Sequence, residues 1–209
     1  ATATTDTHNF GNSATGLGTG TIAVGTVSSG DITFASGSGN IALTGGTITL
    51  VAAATITANN ATDSISSVLA GAASLVKSGT GTLTLSGGST FTGGTTVNAG
   101  TLRAGRNTIA FGNNQGALTV NTGGTVDFSG RSGQQIGYLT GSGGTVVNNG
   151  ASNTSAVNIF GISGSGNYFG VIADNTTGTG RILINKNGAA TQTFSGLNTY
   201  TGSMTISVG

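Results

Sequence analysis

The side chains capable of acid–base chemistry are few and lie far apart in the sequence. The 209 residues include one histidine, five acidic residues, all of them aspartate, and no cysteine. We expect His8, in a Thr- and Asn-rich terminus, to be solvent-exposed and uninvolved. Asp127 stands in a strand-like alternation that turns it away from its apolar neighbours, and Asp174 stands in a turn-like segment. We therefore expect an exposed or ladder-edge carboxylate at Asp127 and a side chain that bonds its own turn backbone at Asp174.

One pair of charged residues keeps an enzymatic alternative open. Asp127 and Arg131 lie four residues apart, and polysaccharide-cleaving β-helix enzymes use clustered Asp with Arg or Lys. A catalytic site needs several such groups in one place, and the sequence offers this pair alone. We therefore predict that the chain has no catalytic residues and is not an enzyme.

Metal and cofactor motifs are incomplete throughout the sequence. The stretch Gly123–Asp127 lacks the third glycine of a calcium-binding nonapeptide and does not recur. Gly16-Leu17-Gly18-Thr19-Gly20 resembles a phosphate loop but completes neither the dinucleotide motif nor the Lys-containing loop of nucleotide-binding proteins. The absence of cysteine excludes disulfides and thiolate metal sites. The sequence therefore predicts no metal ion and no cofactor.

The charge composition argues against two classes of partner. Charged residues make up 5% of the chain and the net charge is +1, which leaves no electrostatic footprint for nucleic acid or an anionic membrane. Four of the basic residues are far apart in sequence, so no basic patch is evident. No run of about 18 apolar residues occurs, and we expect no membrane insertion of this segment.

Short alternating segments and glycine turns form the framework of the chain. Thr82-Leu83-Thr84-Leu85 alternates polar and apolar residues and is followed by Ser86-Gly87-Gly88. The 40 glycines and the absence of proline suit many short strands joined by tight turns. One window, from Ile65 to Ala72, has helical spacing of its apolar residues. Gly71 and the flanking serines weaken that interpretation, so we favour a strand followed by a turn.

An internal repeat determines the architecture. When Lys77 is aligned with Lys186, residue types match at a constant offset of 109 residues without a gap. One position, where Leu83 meets Gln192, breaks the pattern. The matched pairs are Gly79 and Gly188, Leu85 and Phe194, Gly87 and Gly196, Phe91 and Tyr200, Gly93 and Gly202, Val97 and Ile206, and Gly100 and Gly209.

The repeated segment resembles the passenger-associated repeat of bacterial autotransporters. The resemblance rests on Leu75–Gly87 (LVKSGTGTLTLSG) and Thr90–Leu102 (TFTGGTTVNAGTL), and Gly116–Gly144 and Phe169–Ile172 are similar to the spacer coils of that family. It covers roughly residues 65–209, whereas residues 1–64 match only in composition and rhythm. The resemblance implies a right-handed β-helix that is secreted or displayed on the bacterial cell surface. Because the second repeat stops at Gly209, we expect the chain to be a segment of a longer protein.

Composition, repeat and resemblance together predict one all-β fold, a right-handed parallel β-helix (solenoid) of about ten coils. Four or five residues make too short a strand for an isolated sheet, and stacked coils pair each strand with its equivalent one coil away. We predict one β-helix segment over residues 1–209, with repeat-like units near 65–104 and 174–209, spacer coils at 105–173 and N-terminal coils at 1–64. Inward positions should carry Leu, Ile, Val and Phe, and outward positions Thr, Ser and Asn in ladders.

Three functional hypotheses follow. The first is a non-catalytic structural rod for adhesion or self-association, with exposed β-helix ends and an unidentified host or cell-surface ligand as partners. The second is a protomer of an extracellular fibre that stacks end to end, since unpaired strand edges invite pairing. The third is a carbohydrate-active β-helix enzyme that depends on Asp127.

Overall fold

The computed structural model describes residues 6–10, 18–113, 115–151, 154–161, 164–175 and 178–207. Gly16 and Leu17 of the phosphate-loop-like stretch, and Gly209 of the repeat, lie outside these residues.

The described residues form strands and no helix, and none of their segments is a helix long and apolar enough to cross a membrane. The window with helical spacing is divided between two strands, Thr62–Ile65 and Val68–Ala70, so the preference for strand is confirmed. In chain order the strands are β1 (His8–Phe10), β2 (Gly20–Ala23), β3 (Thr26–Ser29), β4 (Ile32–Phe34), β5 (Ile41–Thr44), β6 (Thr47–Leu50), β7 (Ala54–Ala58), β8 (Thr62–Ile65), β9 (Val68–Ala70), β10 (Leu75–Ser78), β11 (Thr82–Leu85), β12 (Thr95–Val97), β13 (Gly100–Ala104), β14 (Ala117–Val120), β15 (Gly124–Asp127), β16 (Gln134–Ile136), β17 (Tyr138–Thr140), β18 (Thr145–Val147), β19 (Ser155–Ile159), β20 (Gly166–Tyr168), β21 (Val171–Ala173), β22 (Ile182–Lys186), β23 (Gln192–Phe194) and β24 (Met204–Ile206).

The strands stack in parallel on three sides of a solenoid. The first side is the sheet β1-β4-β7-β10-β12-β14-β17, and an isolated bridge between Gly141 and Tyr168 links it to the pair β20-β23. The second side is β2-β5-β8-β11-β13-β15-β18-β21, and the third contains β3-β6-β9 and then β16-β19-β22-β24. We number the turns of the solenoid so that each turn begins at a strand of the first side. The predicted all-β parallel β-helix is confirmed.

The solenoid has about nine turns, against about ten expected from the sequence. The difference arises from variable turn length. Register partners on the first side are 20 residues apart between Lys77 and Val97 but 27 apart between Gly141 and Tyr168. Long turns in the second half therefore use more chain for each step along the rod.

The core runs along the axis and is built from alternate residues of every side. In β5, Ile41 and Leu43 are buried while Ala42 and Thr44 are half-buried. The same alternation places Leu83 and Leu85 of β11 inside. Burial of each such side chain contributes about 1.5–3 kcal/mol relative to exposure. The prediction that apolar residues point inward is therefore confirmed for these strands.

Outward positions form columns of like residues, as the sequence predicts. On the second side one register position carries threonine in five successive turns. Asparagine side chains also bond from turn to turn, with 2.9 Å from Asn121 Nδ2 to Asn98 Oδ1. The threonine column consists of Thr62, Thr82, Thr101, Thr125 and Thr145.

Glycines matched between the repeats lie where neighbouring turns come closest. A Cβ on Gly87 would collide with the backbone carbonyl of Ser67, one turn earlier. A Cβ on the matched Gly196 would collide in the same way with the carbonyl of Gly170. The sequence match therefore preserves a close backbone contact and not only a turn.

Gln192, the residue that breaks the repeat, has a physical explanation in the structure. Its Oε1 accepts from Leu139 N at 2.9 Å and its Nε2 donates to Leu139 O at 2.8 Å, so its carboxamide satisfies the backbone of β17 two turns away. It passes Gly166 in the intervening turn, where a Cβ would touch the carboxamide. The first side is interrupted at this point, and leucine would leave these backbone groups without partners.

The two repeats begin on different sides of the rod. Lys77 lies in β10 on the first side, whereas Lys186 lies in β22 on the third. The 109-residue offset therefore does not correspond to a whole number of turns. The repeated unit is a local succession of strands and turns.

Candidate functional site

At the corner that joins the second and third sides, the fifth and sixth turns contain irregular segments. There, residues 105–113 follow β13 and residues 128–133 follow β15 without forming strands. The two segments bond to each other, with 3.0 Å from Thr108 N to Ser132 O and 3.1 Å from Ser132 N to Asn107 Oδ1. Four of the eleven Lys, Arg and Asp residues lie at or beside these segments. We call Arg103, Arg106, Asp127 and Arg131 the charged corner.

Asp127 is fully buried, so of its two predicted positions, exposed or at a ladder edge, the exposed one is wrong. The strand alternation does place it on the outer side of β15, in register with Arg103. Arg103 Nε lies 3.0 Å from its Oδ2, and its Oδ1 accepts from Ser129 N at 2.8 Å and from Asn149 N at 3.0 Å. The following turn and the Asn149 segment fold over the carboxylate, which shields it from solvent.

The suggested pair of Asp127 and Arg131 does not form. Both oxygens of the carboxylate are engaged by other donors, and Arg131 is exposed. Arg131 makes its described contact through its backbone N–H, which donates to Phe128 O at 2.7 Å. A carboxylate that already accepts three hydrogen bonds is poorly placed to act as a general base.

The corner is held in shape by a buried amide and by unusual backbone geometry. Gln134 is buried, and its side chain accepts from Ala110 N at 3.1 Å and donates to Arg106 O at 2.8 Å. Thr108 and Ser129 have φ of 60° and 48°, a left-handed conformation that costs energy for a residue with a side chain. Sequence reasoning missed Gln134, although a polar residue alternating with Ile136 at an inward position was a usable signal.

Lys77, the landmark of the repeat, is a fully buried cation. Its Nζ donates to three backbone carbonyls, those of Ser78 at 2.8 Å, Gly79 at 2.9 Å and Ala99 at 3.1 Å. Burial lowers its pKa to about 8, and the nearby charge of Asp63 opposes this shift. The last of the three acceptors belongs to the next turn, so the ammonium group joins adjacent coils.

Lys186 repeats this arrangement in the second repeat. It is almost completely buried, and its Nζ donates to the carbonyl of Gly188. Gly188 is the counterpart of Gly79, so the contact from the lysine to the carbonyl two residues on occurs in both repeats. Sequence reasoning expected only Leu, Ile, Val and Phe inside and did not predict these lysines as core residues.

Asp63 is the centre of a second cluster of buried polar side chains. Its Oδ1 accepts from Ile41 N at 3.0 Å and from Asn60 Nδ2 at 3.1 Å, and Asn60 also donates to Ser38 Oγ at 2.9 Å. Because these side chains satisfy each other and the backbone, they stabilise the fold between neighbouring turns.

Asp174 links distant segments, whereas residues 176 and 177 of its own turn, which the sequence prediction concerns, lie outside the described residues. Its Oδ1 accepts from Ile182 N at 2.7 Å, and its Oδ2 accepts from Thr201 N at 2.6 Å and Thr201 Oγ1 at 2.7 Å. Burial tends to raise its pKa, but these hydrogen bonds and the charge of Arg181 outweigh burial and lower the pKa below its usual value. A cleft of about 400 Å³ lies beside it and contains this one carboxylate.

His8 is half-buried, whereas the sequence predicted a solvent-exposed side chain. It lies in β1, with its Nδ1 2.9 Å from Ser29 Oγ, and it borders a largely apolar cavity of about 210 Å³ together with Phe10 and Ile22. Its lack of involvement in function stays a prediction.

Side chains that could bind a metal ion are scattered over the described part of the chain. Among residues 6–10, 18–113, 115–151, 154–161, 164–175 and 178–207, no group of three or more His, Cys, Asp or Glu side chains is placed to hold a metal ion. The charged corner instead presents guanidinium groups at the surface, which suits the binding of anions.

Comparisons with known proteins identify the repeat. The sequence profile of a family described as passenger-associated-transport-repeat matches residues 75–104 and 184–209. A protein named adhesin BmaC autotransporter, from Brucella suis biovar 1 (strain 1330), is 35% identical over 184 residues. That alignment covers 82% of this chain, which spans only about 5% of the length of that relative. No solved structure matches the chain.

Proposed function

Because the chain belongs to the passenger-associated-transport-repeat segments of bacterial autotransporters, we propose that it is a non-catalytic rod that supports adhesion. Autotransporter passengers act outside the cell, so this segment is secreted or lies at the cell surface. In this role, residues 1–209 act as one β-helix segment whose turns space other parts of the passenger away from the cell.

The observation that carries the proposal is the continuous stacking of parallel strands over about nine turns. At about 4.8 Å per turn, the rod extends about 40 Å. Buried polar groups such as those of Lys77 and Asp63 bond to adjacent turns, which favours a stiff structure over a flexible linker. The relative is named an adhesin, which supports a role in adhesion.

Removal of one whole turn from the full-length passenger tests this function. Leu75 is in register with Thr95 and with Ala54. Deletion of residues 75–94 therefore places β12 directly on β7 and shortens the rod by about 5 Å. Because residues 75–94 form a whole turn and solenoid turns contact mainly their neighbours, we expect surface display and cell adhesion to stay within about twofold of the parent.

Deletion of residues 75–84 is the control, because it removes half a turn and shifts the register. We expect this deletion to abolish display, since every following strand would meet a wrong partner. Equal loss from both deletions would contradict a modular rod, as would adhesion that disappears although the whole-turn variant is displayed normally.

The enzymatic alternative is tested separately. The carboxylate of Asp127, on which that hypothesis depends, already accepts hydrogen bonds at both oxygens. We expect no release of reducing ends when the chain is incubated with a panel of polysaccharides. Release that disappears in Asp127→Asn, with folding retained, would refute the non-catalytic role.

Self-association through the solenoid ends is a second candidate, because unpaired strand edges invite pairing. Leu197 is 87% exposed and Ile206 is 63% exposed. A second copy that stacks its first turn on this surface would form a fibre of the kind considered from the sequence. Sedimentation should then show association that rises with concentration and is lost in Leu197→Lys. Phe169→Lys, at an exposed position on the eighth turn, is the control, and a single species at every concentration would exclude this candidate.

A further inference from the structure

The charged corner brings together three of the six basic residues. Of the six basic residues, the two lysines are buried in the core and Arg181 borders the cleft at Asp174. The remaining three, Arg103, Arg106 and Arg131, lie in the fifth and sixth turns at one corner. These arginines are scattered in sequence. The solenoid brings them together because residues about one coil length apart in sequence lie on adjacent turns.

The charges at this corner are only partly neutralised. Asp127 pairs with Arg103 through Nε, and its remaining oxygen accepts two backbone N–H groups. Arg103 is still about a third exposed. Within the described part of the chain, Arg106 and Arg131 form no ion pair. The corner therefore carries a local net charge of about +2 in a chain whose net charge is +1.

The guanidinium groups follow the axis of the rod. Arg106 folds back onto Gly88 of the fourth turn, where a Cβ would come within 2.9 Å of its Nη1. Arg103 belongs to the fifth turn and Arg131 to the sixth. Turns lie about 4.8 Å apart, so positive groups are distributed along about 10 Å of the corner.

We propose that the charged corner binds an acidic polysaccharide, carboxylated or sulfated, that lies along the rod. Arginine presents a planar fork of donors to oxyanions. The threonine column passes beside the corner, because Thr101 and Thr125 stand two residues before Arg103 and Asp127 on the same strands. Its half-buried hydroxyl groups are suitable partners for sugar hydroxyls.

Nucleic acid fits this surface less well. Proteins that hold single-stranded nucleic acid add aromatic side chains on which the bases stack. The aromatic residues of the corner, Phe111 and Phe128, are buried and pack against each other with ring centroids 6.1 Å apart. The proposal adds a binding activity to the rod and does not depend on the spacing role, which the whole-turn deletion tests by itself.

Binding of the 209-residue chain to immobilised polymers tests the proposal. Heparin is the sulfated probe, polygalacturonate the carboxylated probe, dextran the neutral probe and single-stranded DNA the competing polyanion. We expect heparin or polygalacturonate to bind, with affinity that falls as salt rises, and dextran not to bind. The glycan that binds more tightly identifies the anionic group.

The double substitution Arg106→Gln with Arg131→Gln should weaken glycan binding at least ~10-fold, which corresponds to the loss of two charge-assisted contacts. Arg181→Gln, which removes one exposed arginine elsewhere, should change it less than about twofold. Circular dichroism should show all variants folded, because Arg131 is exposed and Arg106 is only half-buried. Failure of both acidic glycans to bind, equal binding of dextran, tighter binding of DNA, or unchanged binding of the double variant would overturn the proposal.

Discussion

Raising the pH from about 7 to about 10 should stabilise the fold through Lys77. In the unfolded chain this amine keeps its ordinary pKa of 10.5, whereas burial lowers the pKa to about 8 in the folded protein. Between these values the unfolded chain binds a proton that the folded chain has released, so rising pH favours the folded state. At about 1.4 kcal/mol for each pKa unit, the gain is about 3 kcal/mol over the whole interval and about 2 kcal/mol by pH ~10.

Urea unfolding, followed by far-ultraviolet circular dichroism at several pH values, measures this effect. Lys77→Met keeps the length of the side chain but removes the titrating group, so its free energy of unfolding should lack the rise. The pH dependence of the free energy of unfolding is compared between wild type and Lys77→Met, because in both proteins Tyr168 lowers the stability as the pH rises. Burial raises its pKa, so both proteins lose stability alike once the unfolded tyrosine ionises above about pH 10.

Thr80→Met is the matched control, since it introduces the same side chain at an exposed position three residues further along the chain. Its stability should follow that of the wild type at every pH. Parallel curves for wild type and Lys77→Met between pH ~7 and ~10 would refute the reasoning, because they would mean that the buried amine has the same pKa in both states.

Three further substitutions test other contacts by urea unfolding. Asp127→Asn should cost about 2 kcal/mol, because it breaks a half-buried ion pair, whereas exposed Asp6→Asn should stay within about 0.5 kcal/mol. Gly87→Ala should lower the free energy of unfolding by about 2 kcal/mol or more, because the new Cβ meets the backbone of the preceding turn. Gly20→Ala is its control and should cost under about 1 kcal/mol, because there is open space around the position of its Cβ. Gln192→Leu, the residue type of the first repeat, should cost about 2 kcal/mol by leaving two backbone groups of β17 without partners. Equal effects in each variant and its control, or no effect of Gln192→Leu, would contradict these contacts.

The regular part of the fold could be predicted from the sequence because its cause is local. Alternation in Thr82–Leu85 determines which residues face the core once the segment is a strand, and both leucines are buried. The matched glycines, such as Gly87 and Gly196, mark places where adjacent turns touch, so their spacing carried information about stacking.

The polar residues could not be placed in the same way because their environment is built by distant segments. The alternation put Asp127 on the outer side of its strand correctly, but its burial depends on Asn149 and on the segment that follows it. Its pairing with Arg103 depends on the length of the turn between them. Lys77 is compatible with the core only because carbonyls of its own and the next turn surround its ammonium group, and nothing in the local sequence describes these carbonyls.

The different placement of Lys77 and Lys186 on the circumference has a consequence for longer proteins of this kind. A solenoid that gains repeats by duplication of such a unit does not align the copies along one side. Each new copy faces a new direction, so any surface feature that travels with the repeat becomes distributed around the rod. Partners approaching from several directions would then find the same feature, and the number of accessible copies would depend on the residues between repeats as much as on their count.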